Sequence, residues 1–344
     1  MNRPIHAVLF GTAVGDSLGL PAENLPPWRI QKRWPGSWAQ RLVMGRGMVS
    51  DDTEHTVFVA QCLAAAVDAQ SFQKKLAWKL RWWLLCMPAG IGFATLRAIL
   101  KLWLGFSPSR SGVFSAGNGP AMRSALIGAY FAGNVVQIGD YVRVSTRLTH
   151  TDPKAETAAL AVALTASWTV GGFRPEECLP KIQEVWISAG PNDPDWIGLV
   201  ERIGQAHDGN LDVMEFAREL GLKKGVTGYA YHTVPVALYA WLRHYGDYRA
   251  GLEAVLNCGG DTDTVGAITG ALLAISSAIP NEWVAGLCDY PISRTYLEQL
   301  AHALEPRPEE NRQNLPPFSW VALPFRNLVF LIVVLAHVCR RIIP

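Results

Sequence analysis

Segments 53–69, 119–133, 154–169, 230–243 and 262–277 are rich in Ala and Leu and long enough for helices, and several are apolar nearly all round. A helix without a polar face has nothing to offer water, so it must be enclosed by other elements. Elsewhere the spacing is amphipathic with a helical period. Tyr248, Leu252, Val255 and Leu256 recur at i, i+4, i+7 and i+8, and Leu297, Leu300 and Leu304 do much the same. Clean alternating strands are absent. The reading is an all-α fold in which some helices are wholly internal, with no internal repeat.

The 344 residues, 49% hydrophobic with 13 Trp, are enough for a sizeable core. Charge is nearly balanced, 31 Lys+Arg against 29 Asp+Glu, and no dense basic stripe calls for bulk nucleic-acid binding. Six scattered cysteines without a C-x-x-C pair argue against a disulfide scaffold and a zinc site, with Cys258 set apart by its place before an acidic cluster. The apolar run Ala7–Phe10 is interrupted by Gly15-Asp16, so a removable signal peptide is not expected and the cytoplasm is the expected location.

Gly and Pro punctuate the chain at Leu20–Pro27, at 107–119 and in a polar, proline-rich linker at 305–318. Beyond the linker, the apolar run Leu328–Ala336 lies between Arg326 and Arg340-Arg341, well short of the roughly 20 residues of a membrane span. The expected organisation is a domain over 1–304, the linker, and an apolar C-terminal helix over 319–344 packed on the domain. No transmembrane segment is expected. Membrane-surface and dimer contacts stay open for that helix.

Chemistry concentrates in two acidic clusters, Ser50-Asp51-Asp52-Thr53 and Gly259-Gly260-Asp261-Thr262-Asp263-Thr264. Each alone reads as a helix start, with an N-cap and acids favoured by the helix dipole. Together they supply four carboxylates and several hydroxyls, the hard oxygen ligands that Mg2+, Ca2+ or Mn2+ prefer. The second also matches the D-x-D pattern of phosphohydrolases whose first Asp is a nucleophile, but that chemistry needs a buried strand just before it. Asp16, within Gly15-Asp16-Ser17-Leu18-Gly19, and Glu23 form a third element that alone reads as a solvated Asp on a helix and a loop Glu. The stretch Ser115–Gly119 could turn backbone N–H groups toward a phosphate, and His150 precedes an Ala-rich helix.

The motifs GDSLGLPAE (15–23), SDDT (50–53), GNGPAMR (117–123), THTDP (149–153) and CGGDTDT (258–264), in that order, resemble the ADP-ribosylglycohydrolase family over about residues 5–290. The resemblance implies a compact orthogonal helix bundle and two Mg2+ (or Mn2+) ions. It also implies hydrolysis, by a metal-activated water, of the bond joining ADP-ribose to an acceptor. The substrate would be an ADP-ribosylated protein side chain, arginine favoured over serine, or a small ADP-ribosyl molecule. By motif, Ser50, Asp51, Asp52, Asp261, Asp263 and Thr264 would ligate metal, with Ser50 standing where the family usually has Thr. Glu23 and Asp52 would be catalytic. Asp16, Ser115, Gly117, Asn118, Gly119 and His150 would serve the substrate, Asp16 through the loop or through water. Alternatives are a non-catalytic ADP-ribose-binding homologue and a D-x-D phosphohydrolase.

Overall fold

Glycine at every fourth position sets the central crossing of this molecule. The computed structural model describes residues 3–189, 192–305 and 314–342. The helices named below are numbered along the chain: α1 (Pro4–Gly19), α2 (Asp51–Ala65), α3 (Ala69–Leu85), α4 (Ser124–Tyr130), α5 (Pro153–Val170), α6 (Ala230–Arg243), α7 (Tyr248–Leu256), α8 (Thr262–Ser276) and α9 (Ala322–Ile342). A β-carbon on Gly15 would stand 2.1 Å from the carbonyl oxygen of Gly266, and one on Gly11 would stand 2.3 Å from that of Gly270. One on Gly19 would stand 2.2 Å from the carbonyl oxygen of Thr262. Residues 11, 15 and 19 of α1 therefore meet 270, 266 and 262 of α8 backbone to backbone. The Tyr248 hydroxyl of α7 donates to the Gly11 carbonyl at 3.1 Å beside this crossing.

The wholly internal helices are where the sequence placed them. Residues Thr262–Ile275 of α8 are all buried, as are most of α5 and all of α6 from Thr233 to Leu242. Among the described residues no extended strand forms, and only isolated bridges tie loops together. The fold is all-α. The segment expected as one helix over 119–133 is broken: a 3-10 turn at Ala121–Arg123 precedes α4. Arg123 takes φ −106° and ψ 3°, a non-helical geometry that sends its side chain into the interior.

Cys62, Cys86 and Cys258 are buried and free, and Cys288 and Cys339 are exposed and free. Burial pushes the Cys258 thiol up to about 12, so it is packing rather than chemistry.

The C-terminal region departs from expectation. Residues 306–313 of the proposed linker lie outside the described residues, while Leu315, Phe318 and Trp320 pack against the core. Helix α9 runs 21 residues, and its window Ala322–Cys339 is long and apolar enough to cross a membrane by length and composition. Only 17% of that window is buried, so the apolar run is not a core helix. The 328–336 count was too short because it stopped at Arg326. That guanidinium is turned inward and paired with Glu54 and Asp289, so it does not end the apolar surface.

Candidate active site

The first acidic cluster is organised by Asp16. Its carboxylate accepts the Ser50 backbone N–H at 2.8 Å, the Thr53 backbone N–H at 3.2 Å and the Thr53 hydroxyl at 2.5 Å. Asp16 thus caps α2 from the neighbouring helix α1, satisfying donors that a helix start leaves unpaired. Ser50, extended at φ −105° and ψ −164°, is the cap within the chain. Its hydroxyl accepts the Asp52 N–H at 3.3 Å and lies 3.1 Å from Asp52 Oδ2. That same Oδ2 accepts the Thr264 hydroxyl at 3.2 Å. The two clusters meet.

Gly259 and Gly260 bring the second cluster under the Glu23 loop. They take φ of 69° and 81°, a left-handed region open to glycine. The Gly260 N–H donates to Leu25 at 2.8 Å, and Asn24 donates back to the Gly260 carbonyl at 2.7 Å. On the other side Val226 donates to Gly259 and Asp261 to Val226, both at 2.9 Å. A β-carbon on Gly260 would lie 1.9 Å from the Val226 oxygen, so no other residue fits this thread. Glu23 is thereby held near enough to Asp263 and Asp51 to raise both.

Electrostatically the site is strained. Burial, then mutual repulsion, pushes Asp51, Asp52 and Asp263 well above the usual carboxylate range. Burial also raises Asp261, although the Asn118 amide donates to its Oδ2 at 2.6 Å. Burial lifts Asp16 to about 6 against the opposing pull of its hydrogen bonds to Thr53 and Ser50.

A cleft of about 600 Å³ opens over these groups. Glu23, Asp51, Asp261, Asp263 and Thr264 line it, and so do Ser115, Gly117, Asn118, Gly119 and His150 from the opposite wall. Three expected site residues do not. Ser50 and Asp52 lie behind the wall, 4% and 1% exposed, and Asp16 is wholly buried. Asp52 therefore does not line the cleft, and Asp16 braces the cluster from within. Asn118 lines the cleft, yet its amide is engaged with Asp261 and with Thr233. A larger cleft of about 730 Å³, lined by residues such as Arg3, His6 and Glu298, carries none of the motifs.

Arg123 was quoted within a motif but not expected at the site. It is buried under the cleft wall, donating to the Ser145 carbonyl at 2.9 Å and the Thr149 hydroxyl at 3.0 Å, with His55 Nδ1 at 3.3 Å. Burial and this guanidinium push His150 down to about 3, so its imidazole is neutral at physiological pH. Lys224, Thr95 and Phe93 also line the cleft. Nothing in their local sequence marks them, because loops distant in the chain bring them there.

The donor set fits a hard divalent cation. Asp52 Oδ1 and Asp263 Oδ1 are buried without any hydrogen-bond partner. A buried ionised oxygen left that way costs several kcal/mol (roughly 3–5 for an uncompensated charge), and a cation between the clusters would remove the cost. Among the described residues no three His, Cys, Asp or Glu side chains are arranged to hold a metal by themselves. Carboxylates would have to share the ion with the Ser50 and Thr264 hydroxyls and with water, the mixed shell that Mg2+ usually keeps.

The ADP-ribosylglycohydrolase family model matches residues 2–314. The chain belongs to the ADP-ribosylglycohydrolase family. It is accordingly an enzyme of the glycosidase-type hydrolases, acting on ADP-ribose linkages. An uncharacterized protein of Archaeoglobus fulgidus is 32% identical over 88% of this chain and 96% of its own length. The ADP-ribosyl-[dinitrogen reductase] glycohydrolase of Rhodospirillum rubrum is 24% identical, covering 87% of this chain and 94% of the relative. ADP-ribosylhydrolase ARH3 of Homo sapiens is 27% identical over 52% of this chain and 56% of its own. Among solved structures, an ADP-ribosylglycohydrolase-related protein complex superposes with a TM-score of 0.60 at 25% identity, over 88% of this chain and 96% of the other.

Proposed function

We propose that this ADP-ribosylglycohydrolase is a Mg2+- or Mn2+-dependent enzyme with two ions between its acidic clusters. It releases ADP-ribose from an ADP-ribosylated protein side chain, arginine-linked in preference to serine-linked. The observation that carries the reading is the pair of buried, partnerless oxygens, Asp52 Oδ1 and Asp263 Oδ1, in two clusters that meet where the Thr264 hydroxyl donates to the other oxygen of Asp52.

Ser50, Asp51, Asp52, Asp261, Asp263 and Thr264 would hold the ions. When bound, such ions neutralise the cluster, orient ribose hydroxyls and acidify a water. Glu23, at the cleft lip beside Asp51, is placed to accept a proton from the attacking water. Asp51, Asp261 and Asp263 face the region where positive charge builds on the ribose as the glycosidic bond breaks. On the opposite wall a β-carbon on Gly117 would lie 2.9 Å from His150 Nε2, so glycine there lets main chain approach the neutral imidazole. That wall would receive the pyrophosphate and distal ribose, binding energy that holds the anomeric carbon in place.

The preference for arginine rests on charge. Glu23, a cleft carboxylate outside the proposed ion ligands, can face a guanidinium and gives nothing to a neutral serine glycoside. The near full-length match to the Rhodospirillum rubrum relative, named for acting on a modified protein, supports a protein acceptor. Matched arginine- and serine-linked peptides, assayed with Mg2+ and with EDTA, test the reading. ADP-ribose released only with metal and faster from arginine is expected. Metal-independent release, or tight ADP-ribose binding without release from either peptide, contradicts it.

A further inference from the structure

Helix α9 touches the body along one face only. Leu323, Arg326, Asn327 and Phe330 are buried, and His337 Nε2 reaches the Leu42 carbonyl at 2.6 Å. These positions recur at helical spacing. On the opposite face lie Phe325, Leu328, Val329, Ile332 and Leu335, all apolar and all exposed, with Phe325 at 70% and Ile332 at 59%. An apolar face this long and continuous marks a contact with something absent from the isolated chain.

Three observations identify what covers it. Helix α9 abuts the end of α3, where the Asn327 amide donates to the Cys86 carbonyl at 2.8 Å. Trp82, Leu85 and Met87 beside that point are exposed. Charge is one-sided in the sequence around both elements: residues 69–139 contain no Asp or Glu, but carry Lys74, Lys75, Lys79, Arg81, Arg97 and Lys101 among others. Residues 314–344 contain no acid, their one inward cation Arg326 being paired within the body while Arg340 and Arg341 follow in the sequence. Tryptophan is set against these cations, with Arg81 over the Trp78 ring at 4.6 Å and Lys79 over Trp320 at 5.5 Å. Apolar side chains, tryptophan and unopposed cations together match the headgroup region of an anionic bilayer. A second copy fits poorly, since a two-fold contact would set each cationic rim against itself.

We propose that the outer face of α9, with the adjoining end of α3, docks on a lipid bilayer carrying anionic headgroups. The helix lies in the interface plane, because its contacts with the body run as far as His337 and leave no length free to cross. Phe93, 83% exposed, lines the candidate cleft and follows α3 closely in the chain, so docking brings the cleft toward the membrane surface.

The test uses the full chain with vesicles of phosphatidylcholine, alone or with phosphatidylglycerol. Co-sedimentation should be at least about tenfold stronger with the anionic lipid and should weaken with salt. Ile332→Glu and, separately, Leu328→Glu should lose it by a similar factor, with the melting temperature and ADP-ribose release unchanged. The milder Ile332→Ser should show an intermediate loss. Absence of vesicle binding would overturn the proposal. So would a lipid-free dimer that Ile332→Glu dissociates, or vesicle-bound protein that alkaline carbonate fails to extract, which would mean a helix crossing the membrane.

Discussion

Thr264 donates its hydroxyl to Asp52 across 3.2 Å of space and 212 positions of sequence. This bond makes one site of two helix starts, in which Asp52 Oδ1 and Asp263 Oδ1 are buried with no hydrogen-bond partner. Asp52 and Asp263 are close enough that the charge of Asp52 disfavours ionising Asp263.

Asp261→Asn and Asp52→Asn should each lower ADP-ribose release by at least about 10²-fold, the scale of losing one electrostatic element of a preorganised site. Far-UV circular dichroism should stay near that of the wild type. Full activity in either variant would remove the shared-ion reading.

Cation binding should stabilise the fold. At about 100 times its dissociation constant a ligand adds about 2.7 kcal/mol, so Mg2+ should raise the melting temperature and EDTA should reverse the rise. Asp263→Asn separates repulsion from ligation. It should melt higher than the wild type without metal, because a raised buried carboxylate is relieved, and should gain much less from Mg2+.

Gly15→Ala should cost about 3 kcal/mol or more, the upper end of overpacking. Its methyl would lie 2.1 Å from a main-chain oxygen of α8, which cannot turn aside as a side chain can. Urea denaturation measures the loss, and activity should fall with it because the two clusters would move apart.

His150 should not titrate between about pH 5 and 8, since burial and Arg123 depress its folded pKa to about 3 from an unfolded value near 6.5. The sign follows from proton uptake. Below about pH 6.5 the unfolded chain binds a proton that the folded one refuses, so this contribution is complete above that pH and is lost as pH falls toward 3. His150→Asn should therefore show a shallower acid slope, by up to about 1.4 kcal/mol per pH unit. Imidazole NMR signals that do shift over this range would refute the assignment.

Arg326→Met should destabilise by about 3–5 kcal/mol, the cost of leaving buried charges without their partner. Arg326 contacts Asp289 at 2.6 Å and Glu54 at 3.2 Å, and it also donates to the Val49 carbonyl next to Ser50. Burial already lifts Glu54 to about 7, although Arg326 opposes that shift and the Trp83 indole donates to it at 2.6 Å. Chemical denaturation at neutral pH reads the loss, and adding Glu54→Gln should recover part of it.

Helices α5, α6 and α8 were legible because an apolar surface all round has one outcome, enclosure. The two acidic clusters were legible because carboxylates and hydroxyls are rare enough in this chain to stand out. Asp16, expected to act through the loop or through water, is a capping acid, and a capping acid and a ligand acid look alike in sequence until the donors around them are known. The glycine contacts of Gly11, Gly15 and Gly19 were invisible, because the helix that needs their missing side chains lies some 250 residues away. Lys224 and Arg123 gave no signal for a related reason: each acts through a cavity built by loops and helices from other parts of the chain.

The family match ends at residue 314, and Arg326 lies beyond it. Every motif residue would survive if the chain stopped there. Glu54 and Asp289 would not keep their counter-charge, and the carbonyl of Val49 would lose a donor one residue before the Ser50 turn. The family match and the buried ion-pair network therefore end at different places, and α9 shares the charge balance of the acidic cluster's neighbourhood although no motif reaches it.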